Sequence, residues 1–190
     1  LSDFGIPVIG ISGPAGSGKS TAAAAILRDQ RFKRLPLAGP IKHMLRAGLG
    51  LTEEHTDGHL KECPIPRLGG ITARRLLQTL GTEWGRALDP EFWLRIWLND
   101  ARNETWAGTR GIVVDDVRFL NEAFFLRRET DARIISIVTP HVGPLGEKEA
   151  QHASETELAT IVSHADGVVL NRKDNLRDFQ RTILEAAGLR

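Results

Sequence analysis

The sequence is poor in the features of a secreted, membrane-bound or nucleic-acid-coating protein. It holds one cysteine, Cys63, in 190 residues. A single thiol closes no intrachain disulfide and builds no multi-cysteine zinc site, so a reducing, cytoplasmic setting is expected. No apolar run approaches the ~20 residues that a membrane-spanning helix needs. Leu1 to Gly10 lacks the basic start and long apolar middle of an export signal. Net charge is missing too, since 25 Lys and Arg against 24 Asp and Glu leave a formal +1. That balance excludes a histone-like coat and a polybasic anchor, so neither a nucleic-acid polymer nor a membrane is expected as a partner. Repeats and low-complexity linkers are absent. What is there is an ordinary globular mix, 41% hydrophobic and 26% charged, in a length suited to a single domain.

One local asymmetry survives the balance. Arg28, Arg31, Lys33, Arg34, Lys42 and Arg46 face only Asp29 between positions 28 and 46. Two readings are open: a solvated surface, or a site for anionic ligands.

Short apolar runs alternate with amphipathic ones. Ile6–Ile11, Gly111–Val114, Arg133–Val138 and Gly167–Leu170 read as strands, with Arg34–Leu37 a weaker one. Helices are expected over Ser17–Asp29, Pro40–Leu49, Thr72–Leu88, Pro90–Asn103, Phe119–Glu129 and Asn175–Ala187. The third carries an apolar stripe of Leu76, Leu80, Trp84 and Leu88, which assigns Trp84 to the core. The last carries Leu176, Phe179, Ile183 and Ala187 between an Asn175 cap and Gly188. Thr52–Gly70 reads as loop with room for a short helix. The pattern implies an α/β fold, a parallel sheet of about five strands sandwiched by helices. Ligands of such sheets sit at the carboxyl ends of the strands.

Gly13-Pro-Ala-Gly-Ser-Gly-Lys-Ser20 falls at such an end and matches G-x-x-x-x-G-K-[ST] in full. The glycines let the backbone turn so that its N–H groups point at phosphate oxygens. The helix that follows presents its positive end. In this motif Lys19 reaches the β- and γ-phosphates and the Ser20 hydroxyl coordinates Mg²⁺. Composition alone produces such a match on the order of 1% of the time. A dinucleotide fingerprint starting at Gly16 would need glycine at 21, where Thr21 stands.

A second strand end carries Asp115 and Asp116, followed by Arg118. In phosphate-loop enzymes a strand-end aspartate serves the magnesium shell or the substrate. The alternative is that the pair caps the next helix. Side chains alternate along a strand, so one of the two faces the site. Arg118 is either a phosphate clamp or a salt-bridge partner.

Gly13–Thr21, Arg75-Leu-Leu-Gln-Thr-Leu-Gly-Thr-Glu-Trp-Gly-Arg86, Asp116-Val-Arg-Phe-Leu-Asn-Glu-Ala123 and His152-Ala-Ser-Glu155 together resemble the phage-type deoxynucleoside monophosphate kinases. The likeness runs from about Val8 to Leu184. It implies a single P-loop NTPase domain of the nucleoside-monophosphate-kinase kind, 1–190, with a helical acceptor-binding region at about 38–104 and a lid at about 139–152. It implies phosphoryl transfer from ATP, with Mg²⁺, to a deoxynucleoside monophosphate. Gly13, Ala15, Gly16, Ser17, Gly18, Lys19, Ser20 and Thr21 would hold ATP. Ser20 and Asp116 would serve the metal, and Lys19, Arg118 and Asp116 the chemistry. Lys42, Arg75, Gln78, Thr82, Arg86, Asp116, Arg118 and Glu122 would take the acceptor. The partners implied are these small molecules, for a monomer or homodimer in the cytoplasm, that of a host if the chain is phage-encoded.

The residues themselves agree in part. Arg75, Thr79, Thr82 and Arg86 form a polar helical stripe with Gln78 beside it, suited to a base edge and a phosphate. Gly81, costing about 1 kcal/mol against Ala inside a helix, suggests close approach of backbone or ligand. The lid departs from the family. Its stretch Thr139–Gln151 has Lys148 but no arginine, and Thr139-Pro140 stands where the family often has Arg-Pro. Lys148, Arg127 or Arg128 substitutes, or closure is organised differently. Ser154 with Glu157 also reads as a capping box.

Two other classes share the loop. A kinase of a small-molecule hydroxyl, such as dephospho-coenzyme A kinase, would need Asp115 or Asp116 as proton acceptor. An ATPase or binding subunit would hydrolyse or hold the nucleotide for a partner. The guanine-reading Asn-Lys-x-Asp is absent, since Asn171-Arg-Lys-Asp174 has arginine at its second position.

Overall fold

The computed structural model describes residues 4–140 and 157–189. The chain divides into two compact units, one of Leu1–Pro36 with Asp100–Arg190, the other of Leu37–Asn99.

The first unit is built on five strands: β1 (Val8–Ser12), β2 (Phe32–Arg34), β5 (Gly111–Val117), β6 (Arg133–Val138) and β7 (Gly167–Leu170). They form one sheet in the order β2-β5-β1-β6-β7, every pairing parallel. β1 lies at the centre with all five residues buried, which is why its sequence is an unbroken apolar run. One face packs on α1 (Lys19–Ile26) and on the last helix, here α8 (Leu176–Ala186). Their shared core holds Ile9, Ile11, Ala22, Ile26, Val113, Ile135, Ile137, Phe179 and Ile183. α6 (Leu120–Thr130) and α7 (Leu158–His164) complete the unit, with the latter half of α5 (Phe92–Trp106).

β2 lies earlier than the expected Arg34–Leu37. Phe32 anchors it by filling the space over Gly111, where a Cβ would come within 2.5 Å of the ring. β5 runs past its expected end at Val114. Its pairing with β1 continues from Gly10↔Val114 to Ser12↔Val117, so the register slips by one residue across Asp115 and Asp116. α7 was not expected, because only a few apolar residues interrupt polar surroundings. In α8 Phe179 and Ile183 are buried as expected, but Leu176 is 60% exposed.

The second unit contains α2 (Gly39–Leu49), α3 (Glu53–Thr56), a hairpin of β3 (Pro64–Ile65) and β4 (Ile71–Thr72), and α4 (Ala73–Gln78). Its core gathers Ile41, Leu45, Leu51, Ile65, Ala73 and Trp93. Thr52–Gly70, expected as loop with a short helix, thus holds that helix plus one strand of the hairpin. The single helix expected over Thr72–Leu88 is two: α4 passes into a π-helix at Thr79–Arg86. A wider turn shifts the inward positions. Gly81 and Gly85 are buried, whereas Trp84 is 42% and Leu88 63% exposed. The stripe that assigned Trp84 to the core is therefore corrected. Trp84 lies over the edge of the core, with ring centroids 5.4 Å from Phe92 and 5.9 Å from Trp93.

No helix of the described residues is long and apolar enough to cross a membrane. The expected lid and the His152, Ser154 and Glu155 motif lie outside the described residues, Thr139 and Pro140 excepted.

Candidate active site

β1 ends at Ser12 and the chain turns at once into the glycine-rich loop. Gly13, Gly16 and Gly18 take φ of 148°, 70° and 102°, a region that side chains avoid. Two of them are crowded as well. A Cβ on Gly13 would stand 2.6 Å from the Ile137 carbonyl oxygen, and one on Gly18 2.6 Å from Asn171 Nδ2. Around Gly16 there is open space, so its backbone angle alone requires glycine.

Lys19 opens α1 and its Nζ folds back over the loop, donating to the carbonyls of Gly13 at 2.6 Å and Pro14 at 2.7 Å. Ala15, Gly16 and Ser20 are exposed, and Thr21 is half-buried. The loop is fastened from the far end of the chain. Buried Asn171, just past β7, donates from Nδ2 to the Ser17 carbonyl at 2.8 Å. Its Oδ1 accepts from the Lys173 N–H at 3.0 Å. The strand-end rule points to Asn171, as does the failed guanine motif, but a lone strand-end asparagine has no local signal for this clamp.

The hydroxyls of Ser12, Ser17, Ser136 and Thr139 are buried without a hydrogen-bond partner among the described residues. Ser12 and Ser136 are register partners on β1 and β6. An orphaned hydroxyl costs about 1–3 kcal/mol. Concentrated at the base of the loop, these four leave hydrogen-bonding capacity where phosphate and its water would use it.

Asp116 and Val117 end the neighbouring strand, with Val117 in register with Ser12 and Arg118 the next residue. Asp115 is buried and pairs with Arg34 of β2, Oδ1 to Nε 2.9 Å. Asp116 is half-buried. Asp115 does not cap α6. Glu122 Oε2 accepts the N–H groups of Arg118 at 2.8 Å and Phe119 at 3.0 Å, and Glu157 Oε2 takes that of Leu120 at 2.6 Å. Glu122, expected at the acceptor, is thus committed to backbone groups and sets the main chain of Arg118. The Arg118 side chain is exposed and pairs with no carboxylate among the described residues. The salt-bridge reading of Arg118 finds no partner there.

The basic segment is largely neutralised pair by pair. Arg31 meets Asp29 at 2.6 Å, Lys33 meets Glu104 at 2.7 Å, and Arg34 meets Asp115. In the second unit Lys42, buried, binds Asp57, whose other oxygen takes Arg46 at 3.0 Å. Burial pushes the Asp57 carboxyl up. The Lys42 hydrogen bond and the charges of Lys42 and Arg46 outweigh it and hold the carboxyl below its ordinary range.

The polar stripe of the same unit survives the change of helix type in part. Arg75, Gln78 and Thr82 are exposed and Arg86 is half-buried. Arg75 is engaged by Glu83 at 2.8 Å. Side chains approach Gly81 closely. A Cβ there would be 3.2 Å from Ile41 Cδ1, and its carbonyl accepts from Trp93 Nε1 at 3.2 Å.

Comparison with known proteins gives the family. The family model described as deoxynucleotide monophosphate kinase matches residues 67–183. A protein of Acanthamoeba polyphaga mimivirus, whose name assigns it provisionally to the deoxynucleotide monophosphate kinases, is 31% identical over 190 residues. The match covers 93% of this chain and 94% of that protein. Among solved structures, dephospho-CoA kinase from Campylobacter jejuni aligns with a TM-score of 0.54 across 96% of each chain. Only 14% of its residues are identical, so that likeness is one of fold. A phosphate loop with its lysine in place, a kinase fold, and a family match spanning both units lead to one assignment: the chain belongs to the deoxynucleotide monophosphate kinase family.

Proposed function

We propose that this protein transfers the γ-phosphoryl group of ATP to the 5′-phosphate of a deoxynucleoside monophosphate, giving ADP and the diphosphate. The observation that carries the assignment of roles is a juxtaposition in the first unit. Lys19 follows β1 through the loop, and Arg118, exposed and without a carboxylate partner among the described residues, directly follows the strand paired with β1. Lys19 holds the β- and γ-phosphates once it exchanges its two carbonyl partners for phosphate oxygens. Arg118 clamps the transferring group or the acceptor phosphate.

An acceptor phosphate is already ionised at pH 7, so no general base is required. The arrangement of Asp115 suits that chemistry, because its side chain is engaged by Arg34 at 2.9 Å. Catalysis is then positioning and charge stabilisation. Glu122 acts as a positioning residue through the Arg118 backbone. Lys42, Arg75, Gln78, Thr82 and Arg86 of the second unit take the acceptor nucleotide, with Arg75 and Lys42 sharing themselves between it and their present carboxylates.

The Ser20 hydroxyl and the Asp116 carboxylate are the hard oxygen donors that suit magnesium. Among the described residues no group of three His, Cys, Asp or Glu could hold a metal alone. Those two residues would therefore hold an ion that arrives with the nucleotide, and the ion would neutralise charge on the phosphates.

A panel of deoxynucleoside monophosphates, ribonucleoside monophosphates and dephospho-coenzyme A, each with ATP and Mg²⁺, tests the assignment. ADP release is expected only with a monophosphate acceptor. Equal release without any acceptor would make the protein an ATPase, and release with dephospho-coenzyme A alone would make it a hydroxyl kinase. Arg118→Ala is expected to lower turnover about 100-fold with the thermal midpoint unchanged. A falling midpoint would mean that Arg118 is structural.

A further inference from the structure

A groove lies on the first unit, apart from the phosphate loop. The C-terminal end of α1 and α8 enclose about 500 Å³, lined by Arg28, Arg177, Gln180, Arg181, Leu184, Glu185 and Leu189. Its lining joins two leucines to three arginines and one carboxylate. The three arginines are not equivalent. Arg181 is spent on Asp178 and on Glu185, the latter at 3.3 Å. Arg28 and Arg177 are exposed and have no carboxylate partner among the described residues. They contrast with the other cations near β2, Arg31, Lys33 and Arg34, each of which meets its own carboxylate.

We propose that this groove binds a nucleoside triphosphate as a second ligand. Two guanidinium groups, one after α1 and one on α8, without a carboxylate partner among the described residues, suit a polyphosphate, which they would bind bidentately. The half-buried Leu184 and Leu189 suit the flat apolar body of a base. Gln180 offers an amide to a base edge. Simple inorganic anions would leave the two leucines unused.

The groove is also connected to the loop. Phe179, one residue from Gln180 on α8, lies 3.4 Å from where a Gly18 Cβ would be, and Lys19 begins the helix that Arg28 follows. A ligand gripping both helices braces the shelf on which the loop rests.

The test is direct and does not depend on which acceptor is phosphorylated. Calorimetric titration of the full chain with dATP and Mg²⁺ is expected to show two sites per chain. Arg28→Glu with Arg177→Glu should abolish the second, weakening it at least tenfold, while the first changes less than twofold and turnover at low ATP is kept. Both residues are exposed, so the variant should fold, which its thermal midpoint checks. One site in the wild-type chain, or two undisturbed sites in the variant, would overturn the proposal. If the first site survives and no acceptor is phosphorylated, the functional assignment fails and the groove stands.

Discussion

The phosphate loop and the π-helical segment Thr79–Arg86 are both glycine-bearing, yet glycine solves opposite problems in them. In the loop the glycines are chosen for backbone angle, with positive φ at Gly13, Gly16 and Gly18. In the π-helix Gly81 and Gly85 keep negative φ and are chosen for thinness. A Cβ on Gly85 would stand 2.0 Å from Trp93 Nε1. One region shapes the main chain to receive a ligand. The other removes side chains so that the main chain can press against an aromatic ring. A glycine in a sequence does not say which it is doing, but its neighbours do. The loop's neighbours are a lysine and a serine, residue types suited to phosphate and metal, whereas those of the π-helix are aromatic residues that pack on it.

Lys19→Ala should separate the two regions most sharply. Removing a preorganised cation from developing phosphate charge is expected to cost about 1,000-fold in turnover. Stability should hold, because water can satisfy the Gly13 and Pro14 carbonyls to which Lys19 donates. A thermal midpoint that falls with the activity would show that the lysine is a structural clasp.

Gly85→Ala inverts that result. The methyl group collides with the Trp93 ring in a buried place, and overpacking of this kind costs about 3 kcal/mol. Gly16→Ala is the control within the comparison. Its Cβ meets open space, so the cost is the left-handed backbone alone, about 1–2 kcal/mol. Thermal melts of both variants rank them. If Gly16→Ala is the more damaging to stability, then backbone angle rather than packing governs both regions.

The two regions differed in legibility for the same reason. The loop was readable because its chemistry is local, eight consecutive residues between a strand and a helix. The five-stranded parallel sheet was readable because each strand is a short apolar run. The π-helix was not, because Leu76, Leu80, Trp84 and Leu88 repeat every four residues, a spacing that α- and π-turns both tolerate. Burial then fell on the glycines between them. The ion pairs were not readable either. Arg34 finds Asp115 81 residues away, and Asn171 reaches the loop across 154. A basic segment judged by its own residues shows one partner, Asp29, whereas the others come from β5, from α5 and from Asp57 just past α3. Where strand-end side chains point was obscured by the slip in register at Asp115 and Asp116, which an alternation rule cannot foresee.

The comparison extends from glycines to lysines, and its mildest consequence is a pH effect. Lys19 leans on carbonyls, which do not titrate and are readily exchanged for phosphate. Lys42 leans on Asp57, which does titrate and whose folded-state carboxyl is held below its ordinary range by Lys42 and Arg46 against the opposing effect of burial. A carboxyl depressed in the folded state contributes stability that is complete above its unfolded value, about 3.9, and is lost as pH falls through the lower folded value. Asp57→Asn should therefore destabilise the protein by about 1–2 kcal/mol at neutral pH. The gap to wild type should stay constant from pH 7 down to about 5 and close only below about 4. Urea melts of both proteins across that range measure it. A gap that closes between pH 5 and 7 would mean that a group other than Asp57 sets it. No gap at all would mean that Lys42 is held by packing rather than by its carboxylate.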